Sequence, residues 1–193
     1  MKIPGRFGKL VISAIALASS AGAASVAQES RAIEPRGNLM TTVNEWLGSP
    51  SSVDRAGIER LHQQDMAATL SGNADELANL WDTDAVRIQP GRPAEVSKAV
   101  IHANDKHWEA RKGQEKMLCG RIVLQDLQIA GDWAFEWGYF SYKGISPEGK
   151  VSTGQGKVLR VLHRQADTSW KFARVMNFDE KLASAAPVSR PCE

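Results

Sequence analysis

The stretch WAFEWGY at 133–139 decides the architecture. Trp133, Phe135, Trp137 and Tyr139 alternate with Ala134, Glu136 and Gly138. Period two places four large rings on one face of a strand and two small residues with one acid on the other. The same period governs everything after Gly113. Runs at 118–129, 133–143, 151–164 and 170–178 read as strands, separated by Ala-Gly-Asp, Ser-Pro-Glu-Gly and Ala-Asp-Thr-Ser, which are turn chemistries. The second half is therefore expected to be an antiparallel meander.

Upstream the period becomes helical. Ser51 with Asp54 begins a helix over about 53–71, on which Ile58, Leu61, Ala68 and Gly72 share one side, with Met66 and Leu70 beside it. Gly72 stops it, and Asn73 with Glu76 caps a short second helix carrying Leu77, Leu80 and Trp81. The segment LWDTDAVRIQPGRP (80–93) then reads as a short edge strand around Val86 and Ile88, halted by Pro90-Gly91. A third helix is expected to carry Val96, Val100, Ala103 and His107 inward and to end near Arg111, with Trp108 on its flank. Helices first and a meander second spell an α+β fold, with helices packed on one face of the sheet.

Residues 1–27 are set apart from that fold. Lys2, Arg6 and Lys9 precede an apolar run at 10–24, and Ser25-Val26-Ala27 supplies small residues for a cut after Ala27. This is the pattern of a secretory signal peptide, and the mature chain is expected in a periplasm or secreted, with no membrane span of its own. The segment 28–52 is rich in Ser, Pro, Gly, Asn and Thr and is read as a linker, with one helical turn around Val43, Trp46 and Leu47. The domain follows at 53–179, and 180–193 is a tail.

A 193-residue chain with 42% apolar residues can build one real core once the leader is gone. The formal charge of +2 includes three cations of the leader, and no basic block remains for a phosphate backbone, so nucleic acid is not an expected partner. Cys119 and Cys192 are the two cysteines, and export makes their pairing permissible without requiring it.

The order helix, helix, strand, helix, four-stranded meander resembles the SnoaL-like group of the nuclear-transport-factor-2-like superfamily, which also holds the ketosteroid isomerases. Asp84-Ala85-Val86 leading to Gln89-Pro90-Gly91, A-G-D-W-A at 130–134, Gly156-Lys157, and D-T-S-W-K-F-A-R at 167–174 carry the resemblance. It implies a cone-shaped, curved antiparallel sheet packed against the N-terminal helices. It also puts Gln89 where the isomerases hold their proton-shuttling carboxylate, and Asp65 near the position of their oxyanion-holding tyrosine. A neutral amide has no useful basicity, so steroid-type isomerisation is not expected.

Several residues carry candidate chemistry. Asp65 lies on or beside the apolar stripe, where it is either a half-buried carboxylate tied to an arginine such as Arg174 or a proton donor or weak base of raised pKa. His62, one turn away, could pair with it. Asp82 and Asp84 suit a turn. His102 and His107 are poorly spaced as metal ligands, and neither a metal site nor a cofactor is expected. Ala134 and Gly138 suit close approach of a helix, so the aromatic face is expected to point partly outward as a dimer surface, with Glu136 inside.

The function expected is binding of a small, largely apolar molecule in the cone. Asp65, Gln89, Glu136 and Asn177 would supply polar groups, and Trp81 and Trp108 would line the pocket. A second reading is a non-catalytic dimerising accessory domain whose cone is plugged by Trp81, Trp108 and Met176. A third is an acid-base isomerase or hydrolase-like enzyme using Asp65.

Overall fold

Serine and asparagine caps set the helical part of the chain much as their spacing suggests. In the computed structural model, which describes residues 38–110 and 116–180, the Ser51 hydroxyl accepts from the Asp54 N–H at 3.1 Å and opens α1 (Ser52–Ser71). Gly72 closes α1 with φ of 58°, a left-handed conformation that glycine adopts without a Cβ clash. The Asn73 side chain accepts from the Asp75 and Glu76 N–H groups and begins α2 (Ala74–Ala78). The remaining elements are β1 (Asn38–Leu47), β2 (Trp81–Ile88), β3 (Glu95–Val96), α3 (Lys98–Glu109), β4 (Lys116–Ala130), β5 (Trp133–Ile145), β6 (Val151–Arg164) and β7 (Trp170–Asp179).

The seven strands form one curved sheet in the order β1-β4-β5-β6-β7-β2-β3, which does not close. β4 to β7 are the expected antiparallel meander. The sheet as a whole is mixed, because β1 runs parallel to β4 and β2 parallel to β7. Parallel partners need long crossovers, and both pairs have helices in the intervening chain. Register shifts at 117/119, 124/126 and 161/162 mark bulges, which bend strands and add to the curvature.

Three expectations need correction. The segment 28–52 is not all linker, since 38–47 is strand β1. Val43 and Trp46, assigned to a helical turn, are strand residues packed against the core. The strand was hidden because Thr41, Thr42 and Asn44 dilute its apolar pattern and its ladder partner lies about 80 residues away. Trp81 begins β2 rather than ending a helix, and Asp82 and Asp84 lie within that strand. Asp82 accepts from the Thr83 N–H at 2.8 Å and from His163 Nδ1–H at 2.6 Å, so the half-buried His163 is tied across the sheet. Finally, Ser97 caps α3 by accepting from the Val100 N–H. The helix therefore starts beyond Val96 and buries Ile101 and Asp105, leaving Val96, Val100, Ala103 and His107, all expected to point inward, exposed.

The core lies between the concave sheet face and the helices. Ile58, Leu61 and Ala68 of α1 and Ile101 of α3 meet Leu124, Leu127, Ala134, Val158, Leu162 and Phe172. On β5, Ala134 and Glu136 point inward at 0% and 2% exposure, whereas Trp133, Phe135 and Trp137 are 41%, 47% and 38% exposed. The small residue Gly138 answers to a strand, not a helix. A Cβ there would stand 2.2 Å from the Val123 carbonyl oxygen of β4.

Residues 1–27, read as a signal peptide, lie outside the described residues, as do Cys192 and the tail beyond Glu180. Cys119 is buried on β4.

Candidate functional site

α1 turns two polar residues toward the sheet, and the sheet answers with two of its own. Glu136 on β5 and Arg160 on β6 are cross-strand partners on the inner face. His62 Nε2 lies 2.9 Å from Glu136 Oε2 and 3.1 Å from Oε1. Arg160 donates from Nη1 to Glu136 Oε1 at 3.4 Å and from Nη2 to Asp65 Oδ2 at 3.2 Å. Its guanidinium also lies 5.0 Å from the Phe172 ring centroid, and its Nε is buried without a hydrogen-bond partner. One arginine thus holds a buried carboxylate, Glu136, and a half-buried one, Asp65, with an imidazole against the first.

The two acids respond in opposite directions. Burial pushes the Asp65 carboxyl above its ordinary value, and Arg160 and His62 only partly oppose this. Burial also presses Glu136 upward, but His62 and Arg160 together outweigh it and hold Glu136 below the usual glutamate value. Stability should therefore depend on pH with two signs. The lowered Glu136 favours folding above its unfolded pKa and loses that contribution as pH falls through its folded value. The raised Asp65 does the reverse, since the folded state takes up its proton first and gains stability as pH falls toward the unfolded value. Denaturant midpoints measured from pH 7 to pH 3 should show the acid-side gain vanish in Asp65→Asn, while the final decline remains. An unchanged profile in that variant would count against a buried, proton-hungry Asp65.

His62 faces a second feature. A groove of about 530 Å³ runs between β1 and α1. β1 lines it with Met40, Thr41, Val43 and Trp46, and α1 with Glu59, His62, Gln63, Met66, Ala67 and Leu70. The Arg55 guanidinium lies 4.7 Å from the Trp46 ring centroid. Among the described residues, His62 alone belongs both to the groove and to the charge cluster. A second, partly buried network ties β2, β3 and α3 together. Arg87 donates to Glu95 and, at 2.7 Å, to Asp105, and Asn104 donates to Glu95 at 2.7 Å. Burial raises the Asp105 carboxyl. No group of three or more potential metal ligands occurs among the described residues.

The structure brings together two of the six residues expected at a site, Asp65 and Glu136. Trp81 is buried in the core against Phe172, with ring centroids 5.6 Å apart. Gln89 follows the end of β2, half-buried, and its carbonyl accepts from the Arg92 N–H in a turn. Asn177 is half-buried on β7 opposite Val158. Trp108 is 48% exposed on α3, under the Arg92 guanidinium. None of the six lines the groove. Asp65 finds Arg160 rather than Arg174, whose guanidinium goes to the Asp84 carbonyl, and His62 pairs with Glu136 rather than with Asp65. Arg160 was missed. The available signal was an arginine amid apolar neighbours in VLRVL at 158–162, where period two puts it on the face of Val158 and Leu162.

No family model matches the chain, and no curated protein matches it either. Solved structures do. A ketosteroid isomerase-like protein from Erwinia carotovora atroseptica SCRI1043 superposes with a TM-score of 0.58 at 21% identity, over 68% of this chain and 100% of that one. A nuclear transport factor 2-like superfamily protein from Salmonella enterica subsp. enterica serovar Typhimurium str. LT2 gives 0.57 at 14% identity, over 72% of this chain and 99% of that one. The chain has the nuclear-transport-factor-2-like fold. A conserved protein from Planctomyces limnophilus DSM 3776 shares it as well, with a TM-score of 0.58 at 16% identity over 67% of this chain and 100% of that one. At such identities the likeness is one of frame alone, and a frame does not fix a function.

Proposed function

We propose that this chain is an exported domain that binds a small, largely apolar molecule in the groove between β1 and α1. The observation that carries the reading is the groove itself. Its volume of about 530 Å³ suits a small ligand, its walls include Met40, Val43, Trp46, Met66 and Leu70, and a fixed imidazole stands among them. Apolar walls supply affinity, and a few polar groups set orientation.

Native mass spectrometry of protein taken gently from the periplasm tests this. The expected mass is that of a chain beginning at Gln28 plus a retained small molecule. Met66→Trp, which fills the groove, should weaken that ligand at least tenfold without unfolding the protein. Retention undiminished in Met66→Trp would remove the groove from consideration.

A second reading rests on the row of exposed rings on β5. Trp133, Phe135 and Trp137 form an apolar outer face of the kind that pairs with another copy. Light scattering should then report a dimer at micromolar concentration, converted to monomer by Phe135→Glu. A monomeric wild-type mass would count against it.

A further inference from the structure

Resting on the groove reading, we propose that the groove selects apolar molecules whose polar end is a weakly acidic hydroxyl, a phenol or an enol. His62 accepts a hydrogen bond from that hydroxyl at Nδ1. The argument begins behind the groove. Glu136 receives Arg160 at Oε1 and sits within 3.1 Å of His62 Nε2 through both oxygens. A carboxylate facing a guanidinium is an acceptor only, so Nε2 must carry the ring proton. In the neutral imidazole this leaves Nδ1 with a free lone pair, and Nδ1 has no hydrogen-bond partner among the described residues. Glu136 is thus a positioning residue that fixes the tautomer, and His62 is the group that would touch a ligand.

The rest of the lining points the same way. The Glu59 carboxylate is a further acceptor, and the buried Thr41 hydroxyl oxygen has no partner, so it can take either role. An anionic ligand would meet Glu59 and a lone pair. A full cation would lose its hydration against Met40, Val43, Met66 and Leu70 and would lie near Arg55, which covers Trp46. A neutral donor on an apolar or aromatic body avoids both penalties, and an aromatic body also suits the thioether of Met66.

The test compares four probes of matched size on the mature protein: 4-propylphenol, its methyl ether, 4-propylbenzoate and 4-propylbenzylamine. Affinities come from titration, and 15N and 13C resonances of His62, Trp46 and Met66 locate the binding. The expected result is that the phenol binds about tenfold more tightly than the other three, the discrimination of roughly one buried hydrogen bond, and moves the His62 Nδ1 resonance. In His62→Gln, whose amide can still donate to Glu136, the advantage of phenol over ether should disappear. If phenol and ether bind equally while Trp46 and Met66 respond, the donor preference is overturned and the groove remains a binding site. Preference for the benzoate or the amine overturns it as well. If no probe perturbs groove residues at millimolar concentration, the groove reading falls and takes this inference with it. The wild-type comparison stands even where His62→Gln does not fold.

Discussion

Arg160→Met is expected to lower the unfolding free energy by about 3–5 kcal/mol, the usual result of removing one partner from a buried ionic group. The side chain is almost wholly buried, and its loss would leave Asp65 without its cation and Glu136 with only the imidazole. Urea denaturation at pH 7 measures the effect. The deficit should shrink as pH falls, because the stranded carboxyls can then take up protons. Adding Glu136→Leu should recover part of the loss, since an apolar replacement removes the uncompensated charge, and the two changes should be strongly non-additive. A deficit below about 1 kcal/mol would mean that the cluster is solvated like a surface pair.

Gly138→Ala is expected to cost about 2–3 kcal/mol although it adds a single methyl group. The new Cβ would lie 2.2 Å from the Val123 carbonyl oxygen and 2.6 Å from the Leu124 Cα, both backbone atoms of β4 that cannot rotate away. The strands would have to separate beside the bulge between Leu124 and Asp126. Ser141→Ala on the same strand is the control. Its buried hydroxyl has no hydrogen-bond partner, so its removal should be neutral or slightly stabilising. Equal effects of the two changes in thermal unfolding would show that the β4–β5 pairing yields more readily than its geometry indicates.

The parts legible in the sequence are those whose cause is local. Ser51, Gly72 and Asn73 fixed helix ends through caps within three residues, and alternation from 133 to 139 correctly separated the inward Glu136 from the outward rings. What escaped depends on partners far along the chain. β1 has its ladder on β4, and α3 is turned by the bond from Arg87 to Asp105. The site follows the same rule. Asp65 and Glu136 were recognisable as acids on buried faces, but the histidine that contacts one and the arginine that joins both come from separate elements. Trp46 showed as an apolar residue in a polar segment, yet nothing nearby revealed that it walls a groove.

β1 gives the groove an unusual dependence. One wall belongs to the part of the molecule that holds the core, whereas the other is a strand at the sheet edge, reached only after a loop of about 80 residues closes. Pairings at such separation are slow to form because the loop-closure cost comes before their reward. A version of the protein trimmed at Ser51, where the helical pattern invites a cut, would lack Met40, Thr41, Val43 and Trp46, one whole wall of the groove, and with them the strand that covers the β4 edge.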